Sequence, residues 1–189
     1  MSTAGTAILE ELLRLPRAEL RRRLASGTPP NLAAMEGFAY RGTSLGLPRF
    51  VEKLSWKTFQ KTFYREPRSG RLVGWNVRVA QHGVFSPSEP LRKRGEPVTE
   101  WNYEVIPSAG LPVPEGLDHG VLIDYSRGGN PGFGAVNWVK DPLASLTGED
   151  SEVLLGVSYV VLGGRALETP TYFSLEREHP IEFVPPAFR

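Results

Sequence analysis

From Met35 onward the chain reads as short alternating segments, with only Gly- and Pro-bearing turns between them. Alternation of apolar and polar residues marks a strand with one face on a core. No helical spacing intervenes, which argues against βαβ units and a parallel sheet, since parallel neighbours need a crossover helix. Consecutive strands joined by turns are antiparallel, and a long antiparallel meander leaves two exposed edges unless it closes on itself. The pattern therefore predicts a mainly β fold: an antiparallel up-and-down barrel of about seven or eight strands with short N-terminal helices.

Ile8, Leu9, Leu12, Leu13 and Leu15 have helical spacing over residues 5–15, and Pro16 suits the first position of a second helix. Leu20 and Leu24 share a face there, Glu19 is placed to pair with Arg23, and Gly27-Thr28-Pro29-Pro30 ends the segment. Residues 1–30 are thus a helical lead-in packed on the barrel of residues 31–189. Strands are expected at Glu36–Arg41, Trp56–Tyr64, Arg71–Ala80, Val98–Ile106, Val121–Tyr125, Glu152–Leu162 and Thr169–Arg177. Pro48–Leu54 reads as one or two helical turns, Phe85–Pro97 as a loop and Asp141–Asp150 as a polar connector. The Gly-rich stretch that follows Tyr125 reads as a barrel-end loop, with Arg127 and Asn130 placed to gate the interior.

Composition removes several function classes. Lys and Arg number 22 against 21 for Asp and Glu, so no global field draws nucleic acid or a membrane surface. With no cysteine there is no disulfide, thiolate metal site or cysteine nucleophile, which suits a cytoplasmic protein. No apolar run is long enough to span a membrane, and Glu10 and Glu11 interrupt the pattern of a signal peptide.

The blocks Phe59-Gln60-Lys61-Thr62-Phe63-Tyr64, Gly74-Trp75-Asn76, Leu122-Ile123-Asp124-Tyr125, Leu155-Gly156-Val157-Ser158-Tyr159 and Phe173-Ser174-Leu175-Glu176-Arg177 resemble those of a bacterial family of small β-barrel proteins. That family is lipocalin-like (calycin-type), and the resemblance runs from Met35 to Arg177. It implies a lipocalin-like barrel and transfers no catalytic residue. The chain departs from the calycin Gly-x-Trp near the first strand, where Glu36-Gly37-Phe38-Ala39-Tyr40-Arg41-Gly42 puts Tyr40 nearest the tryptophan at a different spacing.

Signatures of chemistry are sparse. Gly132-Phe133-Gly134 begins like a dinucleotide fingerprint, but Asn137 stands where the third glycine belongs and no helix follows to present free amides. Gly156-Val157-Ser158 lacks the closing glycine of a nucleophile elbow. His82, His119 and His179 are scattered, so no metal site is expected, and no cofactor either.

Lys61 is the informative residue. It shares strand parity with Phe59 and Phe63, so if those rings face inward the ammonium is buried and requires a partner, for which Asp124 and Glu176 are chemically suited. If Trp56, Thr58, Thr62 and Tyr64 face inward instead, Lys61 is solvated. Phe59, Phe63, Trp75, Asn76, Trp101, Tyr103, Arg127, Phe133, Tyr159 and Arg177 are the candidate ligand-binding residues of a barrel interior, which at this size holds packed side chains or one small ligand. Three functions fit the pattern. One is binding of a small hydrophobic or aromatic molecule in the cavity. Another is cofactor-independent isomerase or cyclase chemistry there, with Lys61, Asp124 and Tyr125 as acid or base. The third is a structural or protein-interaction module.

Overall fold

The computed structural model describes residues 3–46, 57–132 and 134–188. Among these residues, helices α1 (Thr3–Leu12), α2 (Arg17–Ser26) and α3 (Leu32–Met35) lead into ten strands. These are β1 (Phe38–Leu45), β2 (Thr58–Arg65), β3 (Leu72–Val77), β4 (Arg92–Lys93), β5 (Glu96–Pro97), β6 (Thr99–Pro107), β7 (Val121–Asp124), β8 (Val139–Ser145), β9 (Val153–Leu162) and β10 (Arg165–Pro180). Eight of them close a barrel in the order β1-β2-β3-β6-β7-β8-β9-β10, with β10 returning to β1 and every neighbour antiparallel. The up-and-down closure expected from the alternation is present. The small β4–β5 hairpin is inserted between β3 and β6.

Several boundaries differ from those expected. The segment read as a polar connector begins inside β8, where Asp141 and Pro142 pair with Ile123 and Leu122. Proline, serine and aspartate are poor strand formers, and here pairing on both sides overrides propensity. Strand β1 continues to Leu45, β10 runs from Arg165 to Pro180, and β3 stops at Val77. The loop 85–97 contains β4 and β5. Pro16 caps α2 from outside, and Glu19 pairs with Arg22 while Arg23 pairs with Glu11. The turns expected at Pro48–Leu54, and Trp56 at the start of the second strand, lie outside the described residues.

Strand parity separates three apolar layers. Tyr40, Phe63, Tyr103, Val105, Ile123, Leu154 and Leu175 fill one end of the interior together with Met35 of α3. That end is locked by polar contacts: Asn31 caps α3 by accepting from the amides of Ala33 and Ala34, and the Tyr40 hydroxyl donates to the Ser151 carbonyl at 2.9 Å. On the outside, Leu9, Leu12, Leu20 and Leu24 of α1 and α2 bury against Leu45, Ala144, Leu155, Val157 and Tyr172. The helical stripe is thus consumed covering the outer faces of β1, β8, β9 and β10. A third layer covers β3, where Trp75 stacks on Phe188 of the C-terminal tail with ring centroids 5.5 Å apart. Among the described residues no helix is long and apolar enough to cross a membrane.

Candidate functional site

At the barrel end away from α3 the interior is not filled. A cavity of about 420 Å³ remains there. Its walls come from all around the barrel: Ser44 of β1, Phe59 and Lys61 of β2, Asn76 of β3, Trp101 of β6, Asp141 of β8, Ser158 of β9, and Thr171 and Phe173 of β10. Tyr125, the first residue after β7, completes the ring.

The aromatic walls are set by glycines. Phe59 is paired across strands with Gly42, Tyr103 with Gly74 and Phe173 with Gly156. In each pair the ring lies over the partner's backbone: a Cβ on Gly42 would fall 2.2 Å from the Phe59 ring, one on Gly74 2.4 Å from Tyr103, and one on Gly156 2.6 Å from Phe173. A glycine opposite an aromatic residue lets the ring fold down onto its neighbouring strand, which pins its orientation and covers the bare backbone.

These three rings and Tyr125 surround the Lys61 ammonium. Its nitrogen lies 5.0 Å from the Tyr125 centroid, 5.1 Å from Tyr103, 5.5 Å from Phe173 and 5.6 Å from Phe59. All four distances are within cation–π range. The rings meet edge to face in two pairs, Tyr103 with Tyr125 at 5.5 Å and Phe59 with Phe173 at 5.9 Å.

A polar chain crosses this aromatic enclosure. Lys61 donates to Asn76 Oδ1 at 3.0 Å and to the Tyr125 hydroxyl, and its nitrogen stands 3.5 Å from Asp141 Oδ2. Tyr125 in turn donates to Asp141 Oδ2 at 2.9 Å, and Ser158 donates to Asp141 Oδ1 at 2.8 Å. Both members of the ion pair are almost wholly buried, at 3% and 2% side-chain exposure. Burial lowers the Lys61 pKa, since the charged form has lost its water, and the nearby Asp141 carboxylate pushes back without cancelling the effect. The Tyr125 and Tyr103 hydroxyls are raised well above their ordinary value, first by burial and further by Asp141.

Trp101 closes the wall by an unusual backbone. The pairing of β3 with β6 shifts between Gly74↔Tyr103 and Asn76↔Glu100, so Trp101 and Asn102 form a bulge opposite Trp75. Trp101 has φ +52°, a left-handed conformation that costs a bulky residue about 1–3 kcal/mol. Asn130 holds the bulge: it accepts from the Asn102 amide at 2.8 Å and donates to the carbonyls of Asn102 and Tyr125, each at 2.8 Å. Gly128 allows the loop to lie this close, because a Cβ there would sit 1.8 Å from the Asn102 carbonyl oxygen. Asn130 therefore anchors the loop between two cavity walls, where a gate was expected.

Of the residues expected to form a site, Lys61, Tyr125, Phe59, Asn76 and Trp101 line the cavity, and the Tyr103 ring adjoins Lys61. Phe63 is inside but deeper, edge-on to Tyr40 at 5.2 Å. Asp124 is on the outer face. Its neighbours Ile123 and Tyr125 point inward, and its carboxylate meets Lys140 at 2.5 Å, Arg127 at 3.5 Å and the Ser126 amide at 3.0 Å. Burial raises its pKa, but the Lys140 and Ser126 hydrogen bonds prevail and hold it below the usual carboxylate range. Arg127 lies outside with Asp124 and Glu104. Trp75 packs outside under Phe188, and Tyr159, of opposite parity to Ser158, lies beside Lys140 on the outer face. Arg177 is at the α3 end, bound to the Ala34 carbonyl at 3.2 Å and to Glu152 at 3.0 Å. Glu176 pairs outside with Arg41 at 2.8 Å, and Phe133 lies outside the described residues.

Asp141, Ser158, Thr171, Phe173 and Ser44 were not among the expected site residues. Phe173 carries a partial signal, as an aromatic residue on the strand that follows the Gly163-Gly164 turn, but its place opposite Gly156 depends on a register shift between Glu168 and Tyr172, without which it would face Leu154. Asp141 had no such signal. Among the described residues no group of three or more His, Asp or Glu converges in the manner of metal ligands. Comparisons with protein-family models, with curated proteins and with solved structures find no match.

Proposed function

We propose that the barrel cavity binds one small aromatic or otherwise apolar molecule carrying a neutral hydrogen-bond acceptor. The observation that carries this reading is the pairing of aromatic walls with a buried ammonium donor, Lys61, at a cavity of about 420 Å³, within the range of small-ligand sites. The walls supply apolar contact and Lys61 supplies orientation. The ligand's polar group is neutral because the Lys61 charge is already matched by Asp141; a carboxylate placed there would face Asp141 across a poorly hydrated space. Native mass spectrometry of protein purified gently from its natural source tests the reading, with one non-covalent small molecule per chain as the expected result. Isothermal titration with cinnamyl alcohol supplies a defined probe, and Ser158→Phe, which narrows the cavity, should weaken its binding. Wild-type protein that carries nothing and takes up no apolar probe would end this reading.

The hydrogen-bonded chain Ser158–Asp141–Tyr125–Lys61–Asn76 supports a second reading, an isomerase or cyclase moving a proton within a bound hydrophobic metabolite. In it Asp141 takes the role expected of Asp124. Turnover of the cavity-bound compound unaffected by both Lys61→Ala and Asp141→Asn would dispose of it.

A further inference from the structure

We infer that Lys61 captures a conjugated or aromatic aldehyde as a covalent imine inside the barrel, an inference that rests on the proposed cavity-binding function. Three geometric features support it. The Lys61 nitrogen is at the cavity wall with aromatic rings on its flanks, so an aryl or conjugated aldehyde stacked between them brings its carbonyl carbon to the amine. Tyr125 bridges Lys61 and Asp141, accepting from the one and donating to the other. Asn76 receives another Lys61 proton and steers the nitrogen.

The chemistry balances without any outside reagent. The Lys61 proton passes to Asp141 through the Tyr125 hydroxyl, leaving a neutral amine and a neutral acid. The nitrogen lone pair attacks the carbonyl carbon; a C–N bond forms, and the C=O π pair moves to oxygen, which takes a proton back along the same relay. One of the two protons on the carbinolamine nitrogen passes along the relay to the hydroxyl, which leaves as water while the C=N bond forms, and the second nitrogen proton returns to Asp141. Aldehyde plus amine gives imine plus water, with no change of oxidation state. Burial favours the neutral amine that this step needs, as in lysines desolvated for Schiff-base chemistry. Oxygen acids and amines are poorer guests: the first face Asp141, and the second compete with Lys61 for its acceptors.

The test incubates wild-type protein with trans-cinnamaldehyde at near-neutral pH, traps imines with cyanoborohydride and maps them by intact mass and peptide sequencing. Cinnamyl alcohol, which has nearly the same shape and no carbonyl, is titrated in parallel. The expected result is one rapid adduct, with the mass of the aldehyde less water plus two hydrogens, on Lys61. Excess cinnamyl alcohol should suppress it while slower labelling of the other lysines and the amino terminus is unaffected. Lys61→Arg should lose that adduct, with circular dichroism reporting whether the variant is folded; if it is not, wild-type mapping and alcohol competition decide the matter. Cinnamyl alcohol binding with no Lys61 adduct, or with labelling only at the other amines, overturns imine capture and leaves the cavity-binding function standing. Failure of both probes to bind overturns imine capture, and removes the cavity-binding function as well where the protein as isolated carries no small molecule.

Discussion

The Lys61 nitrogen and the Asp141 carboxylate stand 3.5 Å apart inside the barrel, and the Tyr125 hydroxyl joins them. Removing one member of a buried pair strands the other charge, which typically costs about 3–5 kcal/mol, whereas removing both is often close to neutral. Lys61→Met should therefore lose about 3–5 kcal/mol in urea unfolding, and Lys61→Met with Asp141→Asn should recover most of it. A double variant as unstable as the sum of the singles would show that the two groups do not act as a pair.

The same group sets a pH dependence. Burial places the native Lys61 pKa below its unfolded value, so between the two the unfolded chain holds more protons and stability rises with pH. The buried tyrosines act in the opposite sense. Tyr103 and Tyr125 are raised, so their contribution is complete below the unfolded tyrosine pKa of about 10 and is lost as pH rises above it. Chemical denaturation across alkaline pH should show a rise followed by a fall near pH 10 and above, and the rise should be absent from Lys61→Met.

Gly42 gives a direct test of how the aromatic walls are held. Gly42→Ala places a methyl where the Phe59 ring now lies, so the ring must swing toward the cavity. Overpacking of this kind costs about 1–3 kcal/mol. Thermal unfolding and probe titration should both register the change, with lower stability and weaker binding of cinnamyl alcohol. Unchanged binding would mean that Phe59 does not border the ligand.

Asn130 predicts a local effect. Asn130→Ala removes the acceptor of the Asn102 amide and the donor to the Asn102 and Tyr125 carbonyls. The loss should be about 1–2 kcal/mol, and amide exchange at Asn102 should accelerate far more than exchange at the α3 end of the barrel. Uniform acceleration throughout the chain would show that the loop does not hold the Trp101 bulge.

Trp75 and Phe188 test the outer layer. Phe188→Ala opens the stack over Trp75 and should cost about 3 kcal/mol, with red-shifted tryptophan emission. Cinnamyl alcohol affinity should not change, since Trp75 and Phe188 lie on the far side of the β3 backbone from the cavity.

Residue order alone determines that this chain folds as consecutive antiparallel strands, because period-two alternation and Gly/Pro turns are local properties. It also determines that Lys61, Phe59 and Phe63 share one face of a strand. Which face is inside is not local. In β2 both parities carry aromatic residues, and in β7 Leu122 and Asp124 are as buried as Val121 and Ile123, so hydropathy cannot choose between them. The choice is made by what covers the outside: the leucines of α1 and α2 over one part of the barrel and Phe188 over another. The same packing turns Asp124 out to Lys140 and brings in Asp141 from a stretch whose composition reads as a connector. The partner of the buried lysine is thus a tertiary fact, fixed when β8 pairs on both sides and its short polar run becomes barrel wall.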